Sequence, residues 1–358
     1  MPSADSRCYS YSDDEDTSYK VRRSATKLLQ AVIATRPELL VALYKDVSPV
    51  LISRFGDREE TVRVEVWATY GVLLNQTAVY GSVPQAKDAE YSIGGKRKRD
   101  EGMDVEDSPI GLLRGQVPSL AKSLLTQLKS GKTAPATLQS GFTLLHTLLT
   151  VLPGCLGPQA SQVVANVKTV LSQSASSSAS TLQVTCLTVL ALFFVTHPPS
   201  TYSNSLDSII PVLLKTVTER HPRLASESFR AFSALLNALK PIASGVWIDR
   251  VYAEAVQRLS NHDTDAEVRG CAEEVIGDLW ICATDIVRTK DRKEWDAMCR
   301  SSGRIDGAVR VVTRVAREVE IGDDWVNGSV DWVLTLLKRS GRAGKIDVFL
   351  CLDALVRR

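Results

Sequence analysis

Apolar residues recur at three- and four-residue spacings along most of the chain. Residues 21–35, 120–130, 142–152 and 227–239 each carry one apolar stripe of helical period, without the alternation of a half-buried strand. Proline and glycine separate such segments at intervals of about 15 to 20 residues, the length of one helix. The pattern therefore predicts an all-α chain of many short helices.

Three segments repeat a pattern in which an aspartate is followed six residues later by an arginine, with an amphipathic helix next. The three pairs are Asp16 and Arg22, Asp57 and Arg63, and Asp263 and Arg269. The aspartate can cap the turn into the second helix of a hairpin, and the arginine can reach an aspartate of a neighbouring repeat. In the second copy, Pro49 stands eight residues before Asp57, where it would kink the first helix.

Proline, aspartate and arginine at these spacings are typical of HEAT repeats. Second helices are predicted near residues 22, 63, 137, 181, 225, 269, 310 and 345, at steps that are mostly about 41 to 44 residues. The sequence thus predicts an all-α HEAT-repeat α-solenoid, an armadillo-like superhelix of about seven to eight two-helix repeats. The predicted organisation is a disordered acidic leader (1–17), first HEAT repeats (18–77), a disordered charged insertion (78–109) and further HEAT repeats (110–358).

The predicted insertion is poor in leucine, rich in glycine and charge, and has no periodic stripe. At its centre stand four consecutive basic residues, Lys96, Arg97, Lys98 and Arg99. A basic tetrad on an exposed loop suits the acidic grooves of import receptors, so we predict a nuclear-import signal here. The alternative is a solvated charge run, since five acids follow. Nucleic-acid binding is not expected, because no aromatic residue is interleaved and the acids would repel phosphate.

Composition narrows the function classes. The chain has 358 residues, is 44% apolar and carries a formal charge of +2, which argues against a strongly basic nucleic-acid binder. The longest apolar run, at 184–195, is shorter than the ~20 residues of a membrane span, and the polar, acidic N-terminus is no secretory signal. We therefore expect no membrane association and a location in nucleus and cytoplasm.

The sequence contains no motif typical of a catalytic, metal-binding or phosphate-binding site. The seven cysteines form no CxxC pair and the four histidines no HxxxH frame, so we expect reduced thiols and no metal site. No GxSxG elbow is present, and Gly131, Lys132 and Thr133 lack the upstream glycine of a phosphate-binding loop. The sequence therefore predicts no catalytic, cofactor-binding or metal-binding residues and no cofactor, and an enzyme is not expected.

Two stretches of sequence are more specific than a general HEAT-repeat pattern. SDDEDTSYKVRRSATKLLQAVIATRPELL (12–40) and YKDVSPVLISRFGDREETVRVEV (44–66) resemble the middle of the cullin-associated, neddylation-dissociated protein family. That family consists of long HEAT solenoids, and the resemblance implies binding to unmodified cullin–RING scaffolds. It also implies competition with adaptors, so that substrate receptors exchange on the ubiquitin ligase, without any catalytic residue.

The resemblance covers only the central repeats of the family. The first helix, from about residue 18, has the pattern of a second helix whose first helix is missing, and this leaves an apolar stripe in water. We therefore expect one piece of a split family member, with a second HEAT-repeat polypeptide docking on residues 18–77. Two other classes of HEAT protein stay open: a nuclear transport receptor, which would bind a Ran-type GTPase, and a phosphatase-type scaffold, which would bind a catalytic subunit.

Overall fold

The computed structural model describes residues 18–81, 107–129, 133–173, 177–261, 263–288, 305–320, 322–338 and 341–357. The predicted leader and most of the predicted insertion lie outside the described residues. Within those that are described, every regular element is a helix or a helical turn. The predicted all-α fold is therefore confirmed.

The chain divides into two compact units, Met1–Ser130 and Gly131–Arg358. The helices of the first unit are α1 (Ser18–Thr35), α2 (Leu40–Ala42), α3 (Ser48–Ser53), α4 (Glu60–Tyr80) and α5 (Pro109–Leu128). A 3₁₀ turn, Pro37–Leu39, precedes α2, and a π-helical turn, Leu43–Val47, joins α2 to α3. Helix α1 packs along α4, and α5 packs against the broken helix that α2, the π turn and α3 form together.

The second unit contains eleven described helices. They are α6 (Pro135–Val151), α7 (Ala160–Leu171), α8 (Ser177–Thr196), α9 (Ser203–Val217), α10 (Pro222–Leu239), α11 (Val246–Ser260), α12 (Ala266–Cys282), α13 (Thr284–Arg288), α14 (Ile305–Glu318), α15 (Asp323–Leu337) and α16 (Arg342–Val356). Proline is the first residue of α6 and of α10, since its fixed φ suits the first helical turn. Gly154, in the turn between α6 and α7, has a left-handed backbone conformation with φ +77°.

These helices of the second unit form two layers. Helices α6, α8, α10, α12, α14 and α16 pack side by side in that order, and we call them the second-helix layer. Helices α7, α9 and α11 pack side by side in the other layer, and each also packs on the next helix along the chain. Helices α1 and α4 pair in the same manner in the first unit. The eight positions predicted for second helices all fall inside these helices, as a two-helix repeat requires.

Two element boundaries differ from the sequence prediction. Helix α4 continues to Tyr80, past the predicted end of the first repeats at 77, and its last residues Val79 and Tyr80 are exposed. Helix α5 begins at Pro109, where the Ser108 side chain accepts a hydrogen bond from the Gly111 amide and so caps the helix.

Among the described residues, one helix is long and apolar enough to cross a membrane, judged by length and composition alone. The window is Ala179–Thr196 in α8, and 61% of it is buried within the fold. A core helix of a packed repeat gives the same pattern. Leu182, Leu187 and Phe193 from this helix are at most 1% exposed.

Candidate protein-interaction surfaces

The Asp57 turn joins two repeats of the first unit. The Asp57 side chain is only 4% exposed, and its carboxylate lies 3.2 Å from Arg22 Nε of α1. The same carboxylate accepts a hydrogen bond from the Glu59 amide at 3.0 Å, just before α4 begins. Asp57 therefore orders the turn into the second helix and holds the arginine of the preceding second helix, the two roles that its spacing indicated.

Arg63 and Arg269 occupy equivalent places in their repeats. Arg63 Nη1 donates to the Asp57 carbonyl at 3.0 Å, and Arg269 Nη2 donates to the Thr264 carbonyl at 3.1 Å. Each arginine thus closes the turn before its own helix. In the turn before α12 the capping oxygen comes from Asp265, which accepts from the Glu267 amide at 2.9 Å. The Asp263 amide donates to Asn261 Oδ1 at 3.0 Å.

Pro49 is the second residue of α3, and the π turn just before it interrupts the α-helical hydrogen bonding of the first helix near the predicted kink. The Ser48 amide donates to the Leu43 carbonyl, and the next residue, Pro49, has no N–H to offer the Tyr44 carbonyl. Gln116 of α5 supplies the missing donor: its Nε2 donates to the Tyr44 carbonyl at 2.7 Å. The π turn is therefore tied to the helix that follows the insertion.

Buried hydroxyl groups extend this network. Ser48 donates to Gln116 Oε1 and lies 3.0 Å from the Tyr70 hydroxyl, while the Tyr44 hydroxyl lies 2.7 Å from Thr77 Oγ1. Burial raises the pKa of Tyr44 and of Tyr70 well above the ordinary value, so both phenols stay neutral. Such groups fix the packing of the repeat and supply no acid or base for catalysis at neutral pH. No local pattern in the sequence singles out Gln116.

Helix α1 carries a second apolar stripe that faces solvent. Val21 and Leu28 are 71% and 70% exposed, Val32 is 37% exposed, and Ala25 is exposed between them. These four residues recur at four-, three- and four-residue steps on one face of the helix. The other face, which includes the buried Ile33, packs on α4. Among the described residues no helix covers this stripe, which lies in the predicted docking region 18–77.

Ion pairs link successive helices of the second-helix layer in the second unit. Asp278 of α12 is 1% exposed at its side chain; it lies 2.6 Å from Arg314 Nη2 of α14 and accepts a hydrogen bond from Ser233 of α10. Arg310 of α14 pairs with Glu273 of α12 at 2.7 Å. Asp278 therefore connects three consecutive second helices. No local sequence pattern marks Asp278, because its neighbours in space are distant in the chain.

A buried histidine joins two loops of the second unit. His197, at the end of α8, accepts a hydrogen bond at Nε2 from the Leu156 amide at 3.1 Å and stacks on Phe193 with ring centroids 4.1 Å apart. Its Nδ1 lies 3.1 Å from the Phe193 carbonyl, which requires the proton on Nδ1. Burial lowers the pKa of His197, so the ring is neutral at pH 7.

The described residues offer no group of three or more histidine, cysteine, aspartate or glutamate side chains that could hold a metal ion. Burial raises the pKa of Cys155 and of Cys282 to about 11, so these thiols are protonated and poorly nucleophilic at neutral pH. Asp16 and the basic residues Lys96, Arg97, Lys98 and Arg99 lie outside the described residues.

The fold is that of helical-repeat scaffolds. A solved structure of importin beta aligns with 95% of this chain and 39% of its own, at a TM-score of 0.64 and 15% identity. The karyopherin Kap95p, solved with RanGDP, aligns with 95% of this chain and 41% of its own, at a TM-score of 0.58 and 9% identity. At such identities these likenesses concern the fold alone. They place the chain in the class of HEAT-type helical-repeat proteins.

Sequence relatives narrow this class to one family. A family profile described as "CAND1-like, TPR repeats" matches residues 154–276. Cullin-associated NEDD8-dissociated protein 1 of Drosophila melanogaster is 31% identical over 280 residues, which cover 75% of this chain and 21% of that protein. The Arabidopsis thaliana protein of the same name is 32% identical over 268 residues, covering 73% and 20%. The chain therefore spans about a fifth of the length of these relatives.

A fungal relative covers more of the chain. The Emericella nidulans protein named "Cullin-associated NEDD8-dissociated protein 1, C-terminal part" is 28% identical over 360 residues, which cover 86% of this chain and 34% of that protein. The resemblance predicted from residues 12–66 is thus confirmed. The chain is a partial relative of the cullin-associated NEDD8-dissociated proteins.

Proposed function

We propose that this chain is a non-enzymatic assembly factor that binds unmodified cullin–RING ubiquitin ligases and promotes exchange of their substrate-receptor adaptors. The observation that carries the proposal is the match to cullin-associated NEDD8-dissociated proteins over about three quarters of the chain. The described surface supports it, because extended layers of paired helices supply large contact areas. In this mechanism, this chain and the adaptor both bind the cullin. Binding of either one lowers the affinity of the cullin for the other by a coupling free energy.

Affinity purification from cells with and without the cullin-modifying enzyme tests this function. We expect unmodified cullin to co-purify in both, and in larger amount when the modifying enzyme is missing. Recovery of a Ran-type GTPase without cullin would select a nuclear transport receptor instead, and a phosphatase catalytic subunit would select a phosphatase scaffold. Either result would contradict the proposed function.

We also propose that a second HEAT-repeat polypeptide docks on residues 18–77. Its contact surface includes the exposed stripe of Val21, Ala25, Leu28 and Val32, because an apolar stripe of this extent is stabilised by burial against a neighbouring helix. The variant L28E should lose the companion, whereas V246E, which changes a residue that is 85% exposed in the second unit, should retain it. Purification of the wild-type chain as a monomer without a companion would contradict this proposal.

The basic tetrad Lys96–Arg99 is proposed to bind an import receptor and to give the chain access to the nucleus as well as the cytoplasm. Replacement of the four residues by alanine should abolish receptor binding and shift a fluorescent fusion to the cytoplasm. Replacement of the adjacent acids Asp100 and Glu101 by alanine is the matched control. An unchanged distribution of the tetrad variant would contradict the import signal.

A further inference from the structure

One part of the second unit is almost free of charged side chains. From residue 133 to residue 206, Lys168 is the only aspartate, glutamate, lysine or arginine, whereas such residues make up 23% of the whole chain. Surfaces of soluble domains ordinarily carry about 25–35% charged residues. This segment supplies α6, α7 and α8, so the absence of charge extends over adjacent repeats.

Uncharged residues are exposed on the neighbouring helices α6 and α8. The two helices pack side by side in the second-helix layer, and each leaves a stripe of helical period at least partly exposed. We call this surface the neutral face and define it by Thr143, Thr147 and Thr150 of α6 and Thr181, Thr185 and Thr188 of α8. Val195, 69% exposed, continues the α8 stripe. Lys168 lies on α7, in the other layer.

Five of the six threonine hydroxyls of the neutral face donate to backbone carbonyls of their own helices. Thr143 donates to the Gln139 carbonyl at 2.9 Å, Thr147 to the Thr143 carbonyl at 3.0 Å, and Thr185 to the Thr181 carbonyl at 3.1 Å. These five side chains therefore offer methyl groups and oxygen acceptors to a partner. Removing water from such a surface costs less free energy than removing it from charged side chains.

The environment of the neutral face has the anatomy of an interface. His146, on the same side of α6, is uncharged at pH 7, because burial lowers its pKa. The adjacent helix α10 carries the pair Arg230 and Glu227, 2.5 Å apart, and the exposed Arg223. The uncharged surface thus adjoins charged residues on its α10 side, and the cores of protein–protein interfaces are likewise depleted of charged residues.

A lipid surface fits these residues less well. Helices that lie on membranes carry lysine and arginine on the polar side and large apolar residues on the other. The neutral face has threonines and no basic residue, and most of the apolar window of α8 is buried in the repeat. A protein occupant is therefore favoured.

We propose that the neutral face is a docking surface for a protein surface that is itself uncharged and rich in aliphatic groups. This inference rests on the proposed function, under which that surface belongs to the unmodified cullin–RING scaffold. Electrostatic complementarity specifies the occupant: a charged group of the partner would lose water here and find no counter-charge on α6 or α8. Contact through this face should depend little on salt.

Charged substitutions of both signs test the proposal. Binding of the purified full chain to a purified unmodified cullin–RING complex is measured by titration for the wild type and for T147K, T147E and T147V. We expect T147K and T147E each to weaken binding at least about tenfold, because either charge is desolvated at the interface. T147V should bind within about twofold of the wild type, because the Thr147 hydroxyl donates to its own helix and valine keeps the branched shape.

Thr169 provides the matched control. It is an exposed threonine of α7 in the same charge-poor segment, and it donates to the Ala165 carbonyl at 2.9 Å, so it differs from Thr147 chiefly in its layer. T169K and T169E should bind like the wild type. Melting curves for all variants establish that each is folded.

The outcomes distinguish failure of the neutral-face proposal from failure of the proposed function. If the wild type binds unmodified cullin and T147K and T147E bind equally well, the neutral face is not the docking surface, although the proposed function stands. If only one sign weakens binding, or T169K weakens it as much as T147K, the partner surface is not the one proposed. Flotation of the chain with uncharged phosphatidylcholine vesicles, lost in T147K and T147E, would assign the face to a membrane. Absence of wild-type cullin binding would overturn both proposals.

Discussion

The hydrogen bond from Gln116 to the Tyr44 carbonyl is predicted to stabilise the packing of α5 on the π turn, and the variant Q116L tests it. The π turn and Pro49 leave this carbonyl without a backbone donor, and Gln116 Nε2 fills the place at 2.7 Å. In Q116L the carbonyl and the Ser48 hydroxyl both lose their bond to Gln116. Ser48 keeps its contact with Tyr70, so the main loss is one buried unsatisfied acceptor, which costs about 2 kcal/mol within the usual range of 1–3.

Hydrogen–deuterium exchange of peptides from residues 40–53 measures this loss locally. A decrease of about 2 kcal/mol in the opening free energy corresponds to roughly 30-fold faster exchange. P49A restores an N–H beside the Tyr44 carbonyl, so the effect of Q116L should be smaller in the P49A background, by about 1 kcal/mol in a double-mutant cycle. Unchanged exchange in Q116L, or full additivity with P49A, would refute the assignment of Gln116 as the substitute donor.

Three further predictions concern buried charge and titration. D57A leaves Arg22 without its carboxylate and should lower the free energy of unfolding by about 2–3 kcal/mol in urea titrations, below the 3–5 of fully buried pairs because Arg22 is partly exposed. D278A should cost a similar amount, about 2–3 kcal/mol, whereas D353A, which breaks the exposed pair with Arg357, should cost at most about 1 kcal/mol by the same measurement. The pKa of His197 is lower in the folded chain than in the unfolded chain, so His197 is protonated in the unfolded chain first as pH falls. The stability that the neutral His197 side chain contributes is therefore complete above the ordinary pKa of 6.5 and is lost as pH falls below it. The melting temperature should therefore fall more steeply between pH 7 and pH 5 in the wild type than in H197Q.

Each of these predictions has a result that contradicts it. Equal unfolding free energies for D278A and D353A would mean that burial of Asp278 adds nothing to its ion pair. An unfolding midpoint for D57A equal to that of the wild type would show that the Asp57 turn does not couple the two repeats. Parallel pH profiles for the wild type and H197Q would place the titration elsewhere.

The sequence predicts the repeat pattern well, because that pattern is set by local signals. Apolar periodicity locates the second helices, and proline and aspartate at fixed offsets mark the break in the first helix at Pro49 and the turn at Asp57. The pairing of Arg22 with Asp57 also follows from the repeat spacing, since equivalent residues of stacked repeats become neighbours.

Other features depend on contacts that no local pattern carries. Gln116 is separated from Tyr44 by the predicted insertion, and its function follows only from the packing of α5 on the π turn. Asp278 is buried because helices on both sides supply Ser233 and Arg314, so an isolated reading of α12 would place this carboxylate in water. The neutral face likewise exists only because α6 and α8 lie side by side.

Titration of the purified chain against one cullin–RING complex, prepared with and without its ubiquitin-like modifier, decides whether the chain binds unmodified cullin as proposed. We expect saturable binding to the unmodified complex, displacement by an adaptor, and strongly weakened binding once the modifier is attached. Equal affinity for both preparations, or no binding to either, would contradict the proposal.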